Sequence, residues 1–284
     1  MTARRMFAAL AGALLLAACA STGNTVSLQE VRDFAAESTQ LAGYAELSTR
    51  FRDTYSREQV YLPAAADKLA KENDAKRRAV VEDFVNIQRS VVLYMQTLGM
   101  LAGENRYDLA PRIDELGIGL RANPEIGIEP RHVLAYTGLT RLLTRVIASD
   151  FQGRSVESMV RDGDADLQTL IDAMINLLRY YAKTHANEKK TILGLFEVEI
   201  PFTNKQDKML ATLARVHYQS KVSEYKLIDR RHELAAQGLT KVALGHQKLR
   251  ENLRALSGEE ARKMLRDYGR DLRLIREALH NNAT

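Results

Sequence analysis

Between Val80 and Ala102 the chain sets Val80, Phe84, Ile87, Val91, Met95, Leu98 and Ala102 at steps of four and three residues, with Tyr94 beside Met95. Such steps average close to one helical turn, so they gather the apolar side chains into one stripe that must be covered by another helix. A strand has no use for this pattern, because its side chains change face at every residue. The stepping returns at Leu167, Leu170, Ile171, Met174, Leu178 and Tyr181, and again at Ala261, Leu265, Tyr268, Leu272, Ile275 and Leu279.

The remaining segments agree. Ser27-Leu28-Gln29-Glu30 has the form of a capping box, and Val31, Phe34, Leu41, Ala45 and Phe51 follow at helical spacing toward Tyr55. Pro63 suits the first turn of the next helix. Residues 99–130 hold Gly99, Gly103, Pro111, Gly117, Gly119, Pro124, Gly127 and Pro130, leaving room only for a short helix around Arg112 to Arg121. Val133 to Phe151 is apolar on most faces, Leu134 included, which predicts a well-buried central helix. Pro201 is expected to stop the helix that carries Tyr181, and Thr203-Asn204-Lys205-Gln206 to open another through Leu210, Leu213, His217, Leu227 and Leu234 to Gly238. Leu239 to Leu256 extends that helix or forms its own, and Ser257-Gly258-Glu259-Glu260 is a third box. No run of alternating β-branched residues occurs. The expected fold is all-α: an elongated antiparallel helical bundle with long helices over residues 27–284. Its predicted core includes Ile87, Val91, Leu98, Leu142, Leu178, Leu213, Leu265 and Leu272.

The first residues read differently. Arg4 and Arg5 precede an unbroken apolar or small run from Met6 to Ala18, the layout of a secretory signal. The run is shorter than the about 20 residues a spanning helix needs, so residues 1–18 are expected to be a removed signal peptide. Leu16-Ala17-Ala18-Cys19 resembles the lipobox of bacterial lipoproteins. The resemblance implies cleavage between Ala18 and Cys19 and lipidation of the Cys19 thiol, with acyl chains such as palmitate. Ala18-Cys19-Ala20 also fits ordinary small-x-small cleavage, which would release a soluble periplasmic protein. Cys19 is the only cysteine, so it has no disulfide partner within the chain, and its place suits lipid attachment. Each buried CH₂ of an acyl chain adds about 0.8 kcal/mol of membrane affinity. Ala20 stands where similar lipoproteins retained at the inner membrane carry Asp. The resemblance therefore implies the periplasmic face of the outer membrane, with residues 19–26 as the lipidated tether.

Charge narrows the partners. The chain is +5 overall, and loss of Arg4 and Arg5 with the signal leaves +3, too mild a balance to announce a polyanion; nucleic acid is not expected for an exported protein. The charge is unevenly spread: residues 205–284 carry 17 basic and 10 acidic side chains, and residues 19–204 are net acidic. Such halves either attract within the molecule or present a basic surface. The last helix, with Arg262, Lys263, Arg266, Arg270, Arg273 and Arg276, would suit an anionic membrane, but Asp267, Asp271 and Glu277 share its polar face. Docking onto the bundle is the expectation.

Little catalytic chemistry is written in the chain. There is no Gly-x-Ser-x-Gly, no Gly-rich phosphate loop and no His-Glu-x-x-His. Glu129-Pro130-Arg131-His132 and Asp229-Arg230-Arg231-His232 each set a carboxylate three residues before a histidine, a spacing used by di-metal bundles. Pro130 puts the first pair at a helix start, and arginines crowd the second, so neither is expected to hold a metal. Met95, Met174, Met209 and Met264 fall at core spacing. No catalytic residue, metal ligand or cofactor is assigned. The long connection is the candidate contact region: Arg106, Tyr107 and Asp108 put an aromatic between opposite charges, whereas Leu109, Ile113, Leu116 and Leu120 would suit a plug on the bundle end.

These features point to a lipid-anchored, non-enzymatic interaction or scaffold protein of the cell envelope. Its partners would be the membrane, through the anchor, and another envelope protein, a second copy or the cell wall. The alternatives are a carrier of an apolar ligand between splayed helices and a metal-dependent helical-bundle enzyme.

Overall fold

The computed structural model describes residues 28–40, 42–103, 108–116, 119–149, 155–202, 207–256 and 258–281. Within them the chain is a helical bundle, and the only β-type pairing is one bridge between Asn123 and Ile128. In chain order the helices are α1 (Gln29–Ser38), α2 (Ala42–Arg52), α3 (Thr54–Glu58), α4 (Ala64–Leu101), α5 (Ala110–Asp114), α6 (Pro130–Ala148), α7 (Val156–Phe202), α8 (Lys208–Glu251) and α9 (Glu259–Asn281). Helix α7 has 47 residues and α8 has 44. At about 1.5 Å per residue each is roughly 65–70 Å long.

Contacts along α8 fix the layout. Phe34 lies on Gly245, Arg231 pairs with Glu46, Arg50 with Glu224, and Tyr61 meets His217. From Phe34 to Tyr61 the described residues thus run antiparallel to α8, from its C-terminal end toward its N-terminal end. Gly245 is required there, because a Cβ would stand 2.4 Å from Cε2 of Phe34. Helix α4 returns, with Phe84 against Phe51 and Tyr94 against His246. Helix α6 crosses α7 antiparallel, Arg131 reaching Asp172 at 2.8 Å. Helix α9 doubles back on α8 and covers α1: Arg262 and Arg266 meet Glu30, while Arg273 and Arg276 meet Glu37. The basic last helix therefore docks onto the bundle, neutralised by acids of the first.

The core holds Ile87, Val91, Leu98, Leu142, Leu178, Leu265 and Leu272, all buried as the apolar steps predict. Leu213 is a correction: it is 60 % exposed. Met209, Leu210 and Val216 are exposed with it, because of the other helices only the end of α7 accompanies this part of α8. Leu134 is also exposed, so α6 is an outer helix with one open face rather than a central one.

Several boundaries differ from expectation. The Ser38 hydroxyl donates to the Phe34 carbonyl and the Thr39 hydroxyl to the Ala36 carbonyl, and α1 ends there instead of running on toward Tyr55. Ser27 lies outside the described residues. Its expected capping partner, Glu30, turns instead to two arginines. Residues 203–206 and Ser257, which carry the other expected boxes, also lie outside the described residues. The helix that carries Tyr181 ends at Phe202, one residue after Pro201, whose ring supplies no amide for the carbonyl four residues back. Gly238 does not interrupt α8. The turn before α6 depends on Gly127 at φ 88°, a left-handed conformation that closes the Asn123–Ile128 bridge.

Candidate functional site

The far ends of α7 and α8 form a helical arm. Among the described residues Ile192 is the last buried position of α7 and Tyr225 the first of α8. At the neck Tyr61 packs on Phe196 and His217, its hydroxyl 2.8 Å from Nε2 of His217, and the Tyr218 hydroxyl donates to Glu197 at 3.0 Å. From the neck outward Val216, Leu213, Leu210 and Met209 recur at helical spacing, each more than half exposed, and Leu195 and Val198 are exposed on α7. Exposed apolar side chains grouped on one helix face make this arm a candidate contact surface. The arm lies at the opposite end of α8 from Gly245, where the first described helix begins.

A groove of about 570 Å³ opens between α4, the turn at Pro124–Ile126 and α7. Its walls include Lys76, Arg77 and Lys183, the carboxylates Glu58 and Glu125, and the amide of Asn123. Arg77 is buried, and neither its Nε nor its Nη2 has a hydrogen-bond partner.

Two buried polar clusters stand in the core. In the first, Glu188 of α7 accepts from Arg57 at 3.0 and 2.7 Å, from Arg50 at 3.4 Å and from the Tyr225 hydroxyl at 3.1 Å. Burial, then the Glu188 charge, pushes the Tyr225 phenol well up. His185 and His232 adjoin, ring centroids 5.5 Å apart. Burial, then His185, pulls His232 down to about 4, and burial followed by Arg50 lowers His185. The free space within this cluster is about that of one water molecule, too small for a substrate.

In the second, the Tyr94 hydroxyl lies 2.8 Å from His246 Nε2, and His246 Nδ1 lies 2.9 Å from Asp164. Burial raises Asp164, but His246, Gln168 and Arg250 outweigh it and hold the carboxyl below its usual range. A hydroxyl, an imidazole and a carboxylate in series can activate a nucleophile. Here Tyr94 and His246 are both fully buried, and burial raises the phenol far above its usual value. The series joins α4, α7 and α8 internally.

The residues singled out by sequence fall as follows. Ala18, Cys19, Arg106 and Tyr107 lie outside the described residues. Asp108 is exposed and accepts the Ala110 amide at 2.8 Å, at the start of α5. Leu109, Leu116 and Leu120 are buried, and Ile113 packs against the core. Glu129 and His132 form a reciprocal cap on α6, the Glu129 amide donating to His132 Nδ1 at 3.0 Å. Asp229 turns from His232 to His185 and Lys189, at 3.1 and 2.7 Å. Among the described residues no three His, Cys, Asp or Glu side chains converge as metal ligands.

The arm, the groove and the Glu188 cluster are not distinguished by sequence reading. The apolar stripe of the arm has the spacing of a core stripe, and Arg57 and Arg50 lie 131 and 138 positions from Glu188. Comparison with protein-family models, curated proteins and solved structures finds no match.

Proposed function

We propose that the chain is a lipid-anchored periplasmic lipoprotein of the outer membrane, acting as a non-enzymatic interaction protein with the α7–α8 arm as its partner-binding element. The apolar stripe from Met209 to Val216, each of its side chains Met209, Leu210, Leu213 and Val216 more than half exposed, carries this reading. Burying such side chains contributes about 25 cal/mol per Å² of apolar area, so a partner that covers them gains affinity. The layout supports it too. The chain enters the bundle beside Gly245, and the arm leaves it at the other end of α8, so a body anchored at Cys19 would present the stripe away from its own membrane. The partner is another envelope protein.

A photo-crosslinking residue at Leu213 of the native lipoprotein identifies what covers the arm. The expected product is an adduct with a distinct envelope protein; a product of twice the chain mass would assign the surface to a second copy, and recovery with cell-wall sacculi to the wall. Leu210→Glu with Leu213→Glu should abolish capture without changing the melting temperature, while Leu274→Glu, at another exposed leucine, should leave capture intact. Capture that survives the arm substitutions defeats the arm's role. The anchor is tested separately: Cys19→Ser should remove fatty-acid labelling, and a wild-type chain that takes up no label would refute lipidation.

A further inference from the structure

We propose that the exposed face of the α7–α8 arm receives one amphipathic helix of the partner protein, seated in the continuation of the seam along which α8 is covered in the body of the bundle. The inference rests on the arm being the contact element and adds the form of its partner.

In a left-handed bundle, positions seven apart along a helix point the same way. Gly245, Gly238, Arg231, Glu224, His217 and Leu210 make one such row on α8. Each of the first five is met by another element. A Cβ on Gly245 would fall against Phe34 of α1 and Tyr268 of α9, and one on Gly238 would lie 3.7 Å from Ile275 of α9. Arg231 pairs with Glu46 and Glu224 with Arg50, both from α2, and His217 meets Tyr61. The sixth, Leu210, is 59 % exposed. The cover stops for a local reason: Leu62 is extended at ψ 134°, and Pro63 leads straight into α4, which returns along the bundle. The row therefore runs past the last element that covers it.

What stays open has the footprint of one helix. Met209, Leu210, Leu213 and Val216 stand at i, i+1, i+4 and i+7, about 10 Å of helix axis. They face away from α7, since Tyr218, which donates to Glu197 of α7, follows Met209 by about two and a half turns and lies on the opposite side of α8. A stripe at steps of three and four is complemented by a second helix that is apolar at the same steps, whereas an extended segment repeats every two residues and pairs through a sheet edge.

The test places a photo-crosslinking residue at Leu210, Leu213 and Val216 in turn, in the native lipoprotein in its own membranes, and maps by mass spectrometry which residues each one joins. One segment of a distinct protein is expected, with the joined residues spaced as on one helix face, at steps of three, four or seven. Leu213→Ala should lower the yield of the Leu210 adduct by roughly 5- to 10-fold, as loss of a buried leucine side chain predicts. Thr212→Ala, exposed beside the stripe, should lower it by less than about twofold. Joined residues scattered over separate segments, or alternating as in a strand, overturn the helix and leave the arm's role intact. A yield that Leu213→Ala leaves unchanged overturns it as well. A product of twice the chain mass, or an adduct with lipid, overturns it by identifying a different occupant. No adduct at any of the three positions defeats the arm's role and this inference together.

Discussion

At the scale of single residues the molecule concentrates its polar cost in a few buried groups. Glu188 is 1 % exposed, and its charge is tolerable only because Arg57 grips it through two nitrogens and Arg50 and Tyr225 complete the shell. Glu188→Ala should therefore cost about 3–5 kcal/mol, since it leaves the half-buried Arg57 without its carboxylate, whereas Arg50 keeps Glu224 at 2.9 Å; a denaturant titration reads it. The neighbouring histidines give the cluster a pH dependence. His232 titrates at about 4 in the folded chain, because burial and His185 disfavour its charge, against a usual value near 6.5 when unfolded. Between those values the unfolded chain binds a proton that the folded chain refuses, so stability is full above about pH 6.5 and falls as the pH drops toward 4. Melting temperatures over that window should fall less steeply in His232→Gln than in the wild type; parallel curves would mean that His232 does not carry the effect.

At the scale of elements a period in the sequence says that one face of a helix is apolar, not what covers it. Val80 to Ala102 and Met209 to Val216 show the same spacing, yet Leu98 is fully buried and Leu213 is mostly exposed. Cover depends on how many helices reach a given height, and that follows from the relative lengths of α4, α7, α8 and α9 rather than from any local pattern. Leu98→Ala should thus cost about 2–5 kcal/mol, and Leu213→Ala no more than about 0.5 kcal/mol. Equal losses at the two positions would show the arm to be buried in solution. The helices themselves were legible for the same reason that the arm was not: stepping by four and three is local. The Glu188 cluster escaped notice because it joins α2, α3, α7 and α8 with no motif in any of them. Close approach is another property invisible in sequence. Gly245→Ala would drive a Cβ into the Phe34 ring, 2.4 Å from its nearest atom, and overpacking of that kind costs about 1–3 kcal/mol. Thermal unfolding of the alanine variant measures it.

At the scale of the whole molecule the uneven charge of the chain becomes an internal clasp. Arginines of the basic last helix meet Glu30 and Glu37, so the acidic first part and basic last part close on each other at one end of the bundle. That end is also where the proposed tether enters, and it leaves the arm as the free end. Reach then depends on whether α8 stays straight from Gly245 to Met209. Its hydrogen-bonded backbone continues through Gly238, and the Tyr61, Phe196, His217 and Tyr218 neck braces it against folding back. Asp33 is exposed beside Phe34, which rests on Gly245, and Leu210 is exposed on the arm. The 35 positions from 245 to 210 along a straight helix span about 50 Å. Since Cys19 is the only cysteine, Cys19→Ser leaves no native thiol, and spin labels at Asp33→Cys and Leu210→Cys report that span directly. A dipolar distance distribution centred near 50 Å is expected. One centred below about 30 Å, less than 20 residues of helical rise, would mean that the arm lies back along the bundle and that its apolar stripe is covered by the chain itself.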